Sequence, residues 1–257
     1  MTSLLHSKTA PSICIPITGR TKEEIAEQLA IIQTEPADMI EWRADFFELL
    51  ADATQVLEVI QTIKNQTDLP LLFTIRAAHE GGEVIALSEA DKVNVLERVC
   101  TDSPVDLIDY ELSNSSEKRR QIQQAAQANG KEFIASYHHF TQTPSKDVLL
   151  EKGKAAERAG ADVVKIAVMP EVKADVFRLL QVTAELTDRL KIPVVTMSMG
   201  ELGAISRVIG WAFGSVMTFG TAATSSAPGQ PPAGKLDKAI KEMQYVAPAW
   251  QNALQDY

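Results

Sequence analysis

The amino-acid sequence predicts an α/β fold: a (β/α)8 TIM barrel, in a single domain over residues 1–257. Eight short apolar, β-branched runs alternate with segments whose apolar residues recur at i, i+3 and i+4. The 257 residues match the size of such a barrel, about 250 residues. No linker, low-complexity tract or break in composition marks a second domain. The rival is a doubly wound open sheet, but no GxGxxG follows an early strand.

The strands are expected at 12–18 (SICIPIT), 39–44 (MIEWRA), 70–77 (PLLFTIRA) and 107–112 (LIDYEL). The remaining four are expected at 132–140 (EFIASYHHF), 163–169 (VVKIAVM), 193–199 (PVVTMSM) and 215–221 (SVMTFGT). The segments between them, such as TKEEIAEQLAIIQ, TQVLEVIQTIKNQ and SEADKVNVLERVC, read as amphipathic helices. Several open at Ser, Thr or an acidic residue, as helix starts do. Asn129-Gly130 and Ala159-Gly160 read as helix stops, since glycine accepts the left-handed backbone that ends a helix. LDKAIKEMQYVAPAW supplies a helix after the last strand. Residues 1–11 are expected to be flexible, and 222–234 to form a lid loop at the active site.

Strands of a parallel sheet are covered on both faces and should be nearly all apolar. Here five strands carry charged or ionisable residues near their C-terminal ends: Glu41 and Arg43; Arg76, with Glu80 just beyond; Asp109 and Glu111; His138 and His139; and Lys165. In a barrel these ends share one rim, where the active sites of this fold lie. Together they predict a polar pocket in the barrel mouth. Side-chain alternation puts Val164, Ile166 and Val168 against the helices and points Lys165 inward with Val163, Ala167 and Met169. Glu41 and Arg43 share one side of their strand. Thr74 and Arg76 oppose Phe73 and Ile75. His138 and His139 fall on opposite sides, and parity alone does not choose between them.

Lys165 stands in the apolar run DVVKIAVMP. A buried ammonium is costly unless it is paired or loses its proton. Aliphatic neighbours, and Arg43 and Arg76 in the same mouth, favour an amine that attacks a carbonyl and forms a Schiff base. The other reading is structural: Glu41, Asp109 or Glu111 matches the charge in a buried network. Schiff-base chemistry also needs a proton shuttle, for which histidine is suited near neutral pH. The four are His6, in the N-terminal segment; His79, in a loop; His138; and His139.

The net charge is −9 with a pI near 5.0, and no Lys/Arg block stands out. Neither nucleic acid nor a membrane surface is therefore expected as a partner. Cys14 and Cys100 form no CxxC, which fits thiols in a reducing cytoplasm. No signal-peptide core and no run approaching about 20 apolar residues is present. The Ser-, Pro- and Gly-rich stretch ATSSAPGQPPAG at 223–234 suits a lid over a barrel rim, and its composition by itself suits an ordinary flexible connection equally well.

Eight motifs fall in order along nearly the whole chain: EWRAD (41–45), FTIRAAHEGGE (73–83), SYHHF (136–140), KIAVMP (165–170), TMSMG (196–200), ISR (205–207), FGSVMTFG (213–220) and SAPGQ (226–230). With them the sequence resembles the type I 3-dehydroquinate dehydratases of the shikimate pathway. The resemblance implies a commonly dimeric (β/α)8 lyase that needs no metal or dissociable cofactor and serves chorismate and aromatic amino-acid synthesis. It implies Lys165 as the Schiff-base lysine, His138 as general acid/base and Glu80 as its orienting carboxylate. Glu41, Arg43 and Arg76 would hold substrate hydroxyls and shape the pocket. Arg207 would take the substrate carboxylate, and Ser226 and Gln230 would belong to the closing loop. The implied substrate is 3-dehydroquinate. Pro16 on the pocket side of strand one, His79 beside Glu80 and the doubled His138-His139 make the pattern slightly unusual. A class I aldolase on a sugar phosphate would also need a strand lysine, with a phosphate cradle after strands seven and eight. A non-enzymatic binding barrel would keep Lys165 as a structural ion.

Overall fold

The computed structural model describes residues 4–5, 10–222 and 225–250. His6 and the first two residues of the 223–234 stretch lie outside them. Within the segment expected to be flexible, Leu5 is buried in the core cluster.

Strands and helices alternate along the chain. The first half comprises β1 (Ser12–Ile17), α1 (Lys22–Ile32), β2 (Met39–Arg43), α2 (Ala53–Gln66), β3 (Leu71–Thr74), α3 (Glu89–Asp102), β4 (Leu107–Glu111) and α4 (Ser116–Ala128). The second comprises β5 (Glu132–His139), α5 (Lys146–Arg158), β6 (Val163–Val168), α6 (Lys173–Arg189), β7 (Val194–Ser198), α7 (Gly200–Ile209), β8 (Met217–Phe219) and α8 (Ala233–Val246). The strands pair in parallel in the order β7-β6-β5-β4-β3-β2-β1-β8. A bridge between Val194 and Ser215, and a 2.9 Å bond from Val216 N–H to Val194 O, bring the two ends together into a nearly closed barrel.

Local chemistry sets the element ends. Ser88 caps α3: its Oγ accepts from Asp91 N–H at 3.2 Å, and the Asp91 carboxylate accepts from Ser88 N–H at 3.3 Å. Asp52 and Ser115 cap α2 and α4. The expected stops hold: Gly130 (φ 68°) and Gly160 (φ 75°) follow α4 and α5 in the left-handed region. Strand three is shorter than its apolar run because side chains take its backbone donors. Asp45 Oδ1 accepts from Arg76 N–H at 3.2 Å, and Glu111 Oε1 from Ala77 N–H at 2.8 Å. The chain therefore leaves the ladder after Thr74 and turns into the mouth.

Outward residues such as Ile15, Ile40, Trp42, Phe73, Ile108, Val164 and Ile166 bury against the helical layer. Parallel pairing carries every C-terminal strand end to one rim. All the charged strand-end residues therefore meet there.

Candidate active site

Lys165 points inward from β6, at the level of Ser136 on β5 and Val195 on β7. Its Nζ donates to Glu41 Oε1 and to Asp109 Oδ2, each at 3.1 Å, and lies 4.6 Å from the centroid of the Phe219 ring. The ammonium is paired, as the structural reading foresaw, but it also lines a cavity. Glu41 Oε1 also accepts from Thr74 Oγ1 at 2.9 Å. Burial works against the Glu41 charge, but Lys165 and Arg43 hold the carboxyl below its ordinary range. Asp109 is likewise buried, and Arg76 and Lys165 outweigh that burial to hold it well below the usual carboxylate range.

Neither arginine is an unopposed cation beside the lysine, as the sequence suggested. Arg43 makes a two-pronged pair with Asp45, Nε–Oδ1 at 2.8 Å and Nη2–Oδ2 at 2.7 Å. Arg76 Nη1 donates to Glu111 Oε1 at 3.1 Å and to Ser136 Oγ at 2.8 Å, and its Nη2 lies 2.8 Å from Asp109 Oδ2. Both still line the cavity. Each is balanced by a carboxylate of the protein.

His138 occupies β5, the strand next to Lys165. It falls on the same side as Ser136, whose hydroxyl donates to Asp109 at 2.6 Å inside the barrel. That settles the parity: His138 enters the cavity, whereas His139 accepts from Gln142 N–H at 3.3 Å and meets the Tyr137 ring edge-on. Glu80 Oε2 accepts from both the His138 backbone N–H (2.9 Å) and Nδ1 (3.0 Å). Its Oε1 accepts from Ser113 Oγ at 2.5 Å. Glu80 is carried there by the turn Ala78–Glu80 and by Gly81, whose φ is 86° and where a Cβ would stand 2.0 Å from the Phe140 ring. Burial and the Arg76 charge push His138 down to about 4, so its imidazole is neutral near pH 7. With Nδ1–H given to Glu80, the Nε2 lone pair is left free to accept a proton.

The 225–232 loop lies over the mouth. Ser226 O accepts from Arg43 Nη1 at 3.3 Å, and Pro228 O accepts from Arg207 Nη2 at 3.2 Å and from Gly200 N–H at 3.1 Å. Gly229, at φ 76°, permits this approach, since a Cβ there would sit 2.3 Å from Gly200 O. Gln230 and Ser226 brace each other, Nε2 to Oγ at 3.1 Å and Ser226 N–H to Oε1 at 3.0 Å. Beneath the loop is a cavity lined by Lys165, His138, Glu80, Phe140, Met197 and Ser226, among others. Arg207, from α7, stands just behind this wall: Nη1 is 3.6 Å from Sδ of Met197. Among the described residues no carboxylate pairs with it, and burial lowers its guanidinium to about 10. It is a buried cation in want of an anion.

Strand patterning could not supply Ser113, Asp45 or Lys92, which enter from loops and a helix. Ser113 left no signal. Lys92 did: it lies four residues before Leu96 and seven before Val99, on the buried stripe of α3. Among the described residues no group of three or more His, Cys, Asp or Glu could hold a metal ion.

Comparison with known proteins bears on the same residues. The family model for type I 3-dehydroquinase matches residues 13–246. A 3-dehydroquinate dehydratase of Albidiferax ferrireducens is 42% identical over 231 residues, covering 90% of this chain and 88% of the relative. The crystal structure of 3-dehydroquinate dehydratase from Geobacillus kaustophilus superposes with a TM-score of 0.89 at 40% identity, covering 91% of each chain. That of the type I enzyme from Clostridium difficile superposes with a TM-score of 0.89 at 35% identity, covering 93% of this chain and 94% of the other. A barrel alone would leave many chemistries open, but a match this long, running through every strand end that carries the site, does not: the chain belongs to the type I 3-dehydroquinase family.

Proposed function

We propose that the chain removes water from 3-dehydroquinate to give 3-dehydroshikimate through a Schiff base on Lys165. The observation that carries this is the meeting of a buried primary amine and a neutral, carboxylate-oriented histidine on adjacent strands of one covered cavity. Glu41 and Asp109 are the acceptors for the proton that Nζ must shed before attack. The amine adds to the ring ketone and one water leaves, giving an iminium. That cation acidifies the adjacent C–H, because its electrons can flow into the C=N bond. His138 Nε2 takes the proton, and an enamine results. The enamine expels the β-hydroxyl, which leaves as a second water with the proton His138 carries. Hydrolysis of the iminium consumes one water, so one is lost overall and Lys165 is regenerated. Glu80 steadies the imidazolium between the two transfers.

Arg207 takes the substrate carboxylate, as its buried, unmatched charge invites. Arg207→Ala should raise KM about a hundredfold with a smaller change in kcat, and Arg207→Lys should recover part of the loss. Steady-state kinetics check both; an unchanged KM would remove Arg207 from the carboxylate site. Glu41, Arg43 and Arg76 shape the pocket and offer their remaining polar atoms to the hydroxyls, and Ser226 and Gln230 close the loop over the ring.

We take residues 1–257 as one catalytic domain with 222–234 as its lid, assembled as a homodimer. Net charge −9 argues against polyanionic partners. No helix among the described residues is long and apolar enough to cross a membrane. Cys14 and Cys100 are both free and buried, which suits a reducing cytoplasm. The aldolase alternative is not favoured by the family match. The test is incubation with 3-dehydroquinate. An ultraviolet-absorbing enone should appear, and borohydride should trap an adduct on Lys165 by mass spectrometry. Carbon–carbon cleavage of a sugar phosphate, or an absent adduct with turnover intact, would overturn the proposal.

A further inference from the structure

Lys92 belongs to α3, in the helical layer, yet is only 2% exposed. Its Nζ donates to Glu111 Oε2 at 3.0 Å and stands 5.3 Å from the Tyr110 ring centroid. Glu111 Oε1 holds Arg76 Nη1 at 3.1 Å, and Arg76 Nη2 is 2.8 Å from Asp109 Oδ2. Asp109 Oδ2 and Glu41 Oε1 each lie 3.1 Å from Lys165 Nζ. Buried charges therefore alternate in sign along Lys92, Glu111, Arg76, Asp109, Lys165 and Glu41. Arg43 is balanced separately by Asp45, and Glu80 serves His138. These six charges sum to zero only with Lys92 included, and Glu80 adds a further negative charge that Arg76 feels from outside the row, although Lys92 itself does not line the cavity.

We propose that Lys92 is a positioning residue for imine formation: by neutralising Glu111 it keeps Arg76 Nη2 beside Asp109, which leaves the Lys165 amine free to shed its proton and attack. This rests on Lys165 being the imine-forming residue. Without Lys92, Glu111 Oε2 keeps only Asn114 Nδ2, at 3.0 Å. The carboxylate then draws both prongs of Arg76, and the charge of Asp109 falls on Lys165 alone. Of the neighbouring charges, Arg119 of α4 is held by Leu112 O and Asn114 O, and Glu89 of α3 accepts from the Tyr110 hydroxyl. Cys14 of β1 keeps its thiol proton because burial raises it, and His138 of β5 is neutral near pH 7. From β7 and β8 come only Met197 and Phe219.

The test is the rate of cyanoborohydride-trapped adduct on Lys165, with 3-dehydroquinate, as a function of pH. Lys92→Met should move the profile to higher pH by about one unit, so that trapping at pH 7 slows about tenfold, and Lys92→Arg should restore it. Glu111→Gln should move the profile the other way, since it leaves the chain one charge more positive. A wild-type adduct with an unmoved Lys92→Met profile, even alongside a lowered Tm, would reduce Lys92 to a structural ion and overturn the inference alone. Shifts in the same direction for both variants would do the same. If Lys92→Met does not fold, an unmoved or upward-shifted Glu111→Gln profile overturns it. No wild-type adduct on Lys165 would bring down the parent mechanism, and this inference with it.

Discussion

Lys165→Ala is expected to abolish the borohydride-trapped adduct and to lower turnover about 10⁴-fold or more, since no other amine lines the cavity among the described residues. The loss is chemical rather than steric: without Nζ there is no iminium, and the adjacent C–H keeps its ordinary low acidity. The substitution also removes the cation between Glu41 and Asp109. Breaking a buried ion pair from one side costs about 3–5 kcal/mol when the orphaned charge has no outlet. Here it has two. Asp109 keeps Arg76, and Glu41, held down partly by Lys165, can take up a proton. The variant should therefore fold, with a lowered Tm, and circular dichroism alongside the kinetics separates the two effects. A folded Lys165→Ala protein that retained even a hundredth of wild-type turnover would end the Schiff-base assignment.

The second large effect is expected at His138. His138→Ala should still form the covalent adduct but stall before proton removal, lowering kcat about 10²–10⁴-fold while the trapped species accumulates. His139→Ala should turn over almost normally, because that ring faces away from the cavity. The reverse pattern would mean that the histidine roles are exchanged. The depression of His138 also makes two pH statements. In activity, the proton-removal step that follows imine formation, read from the decay of preformed adduct, should show no inflection at pH 6.5, the ordinary histidine value, and should slow as pH approaches about 4, where the base is protonated. In stability, the unfolded chain binds the histidine proton near pH 6.5, whereas the folded chain resists it down to about 4. The unfolded state thus holds more protons in that window, so stability is complete above pH 6.5 and declines as pH falls through it. His138→Gln should flatten that slope in denaturant titrations between pH 6.5 and about 5, above the range where the unfolded chain's carboxyls take up protons and the lowered Glu41, Glu80 and Asp109 begin to cost stability.

Much of this site could be read before any coordinates, for a reason particular to barrels. Parallel strands should be apolar throughout, so each charged residue at a strand end stands out, and alternation alone aims Glu41, Arg43 and Lys165 inward. The helix caps at Ser88 and Ser115 and the stops at Gly130 and Gly160 are local events that need only a few neighbouring residues. Such features depend on periods of two and 3.6 and on short-range backbone bonds, and a sequence carries those directly.

Other decisions needed the closed barrel. Whether Lys165 is paired or crowded by cations depends on Asp109 and Arg76, which lie 56 and 89 residues earlier in the chain. Strand periodicity says nothing of how charges from different strands divide among one another. Parity left His138 and His139 equal; the family resemblance chose His138, and the pairing of β5 with its neighbours, with Ser136 bonded inside, gave the physical reason. Lys92 and Ser113 reach the site from a helix and a loop, at angles no strand pattern contains. Periodicity determined which side chains would turn inward; closure of the sheet decided which of them would share a proton or a charge, because electrostatic partnership depends on a few ångströms of separation in space and not on distance along the chain.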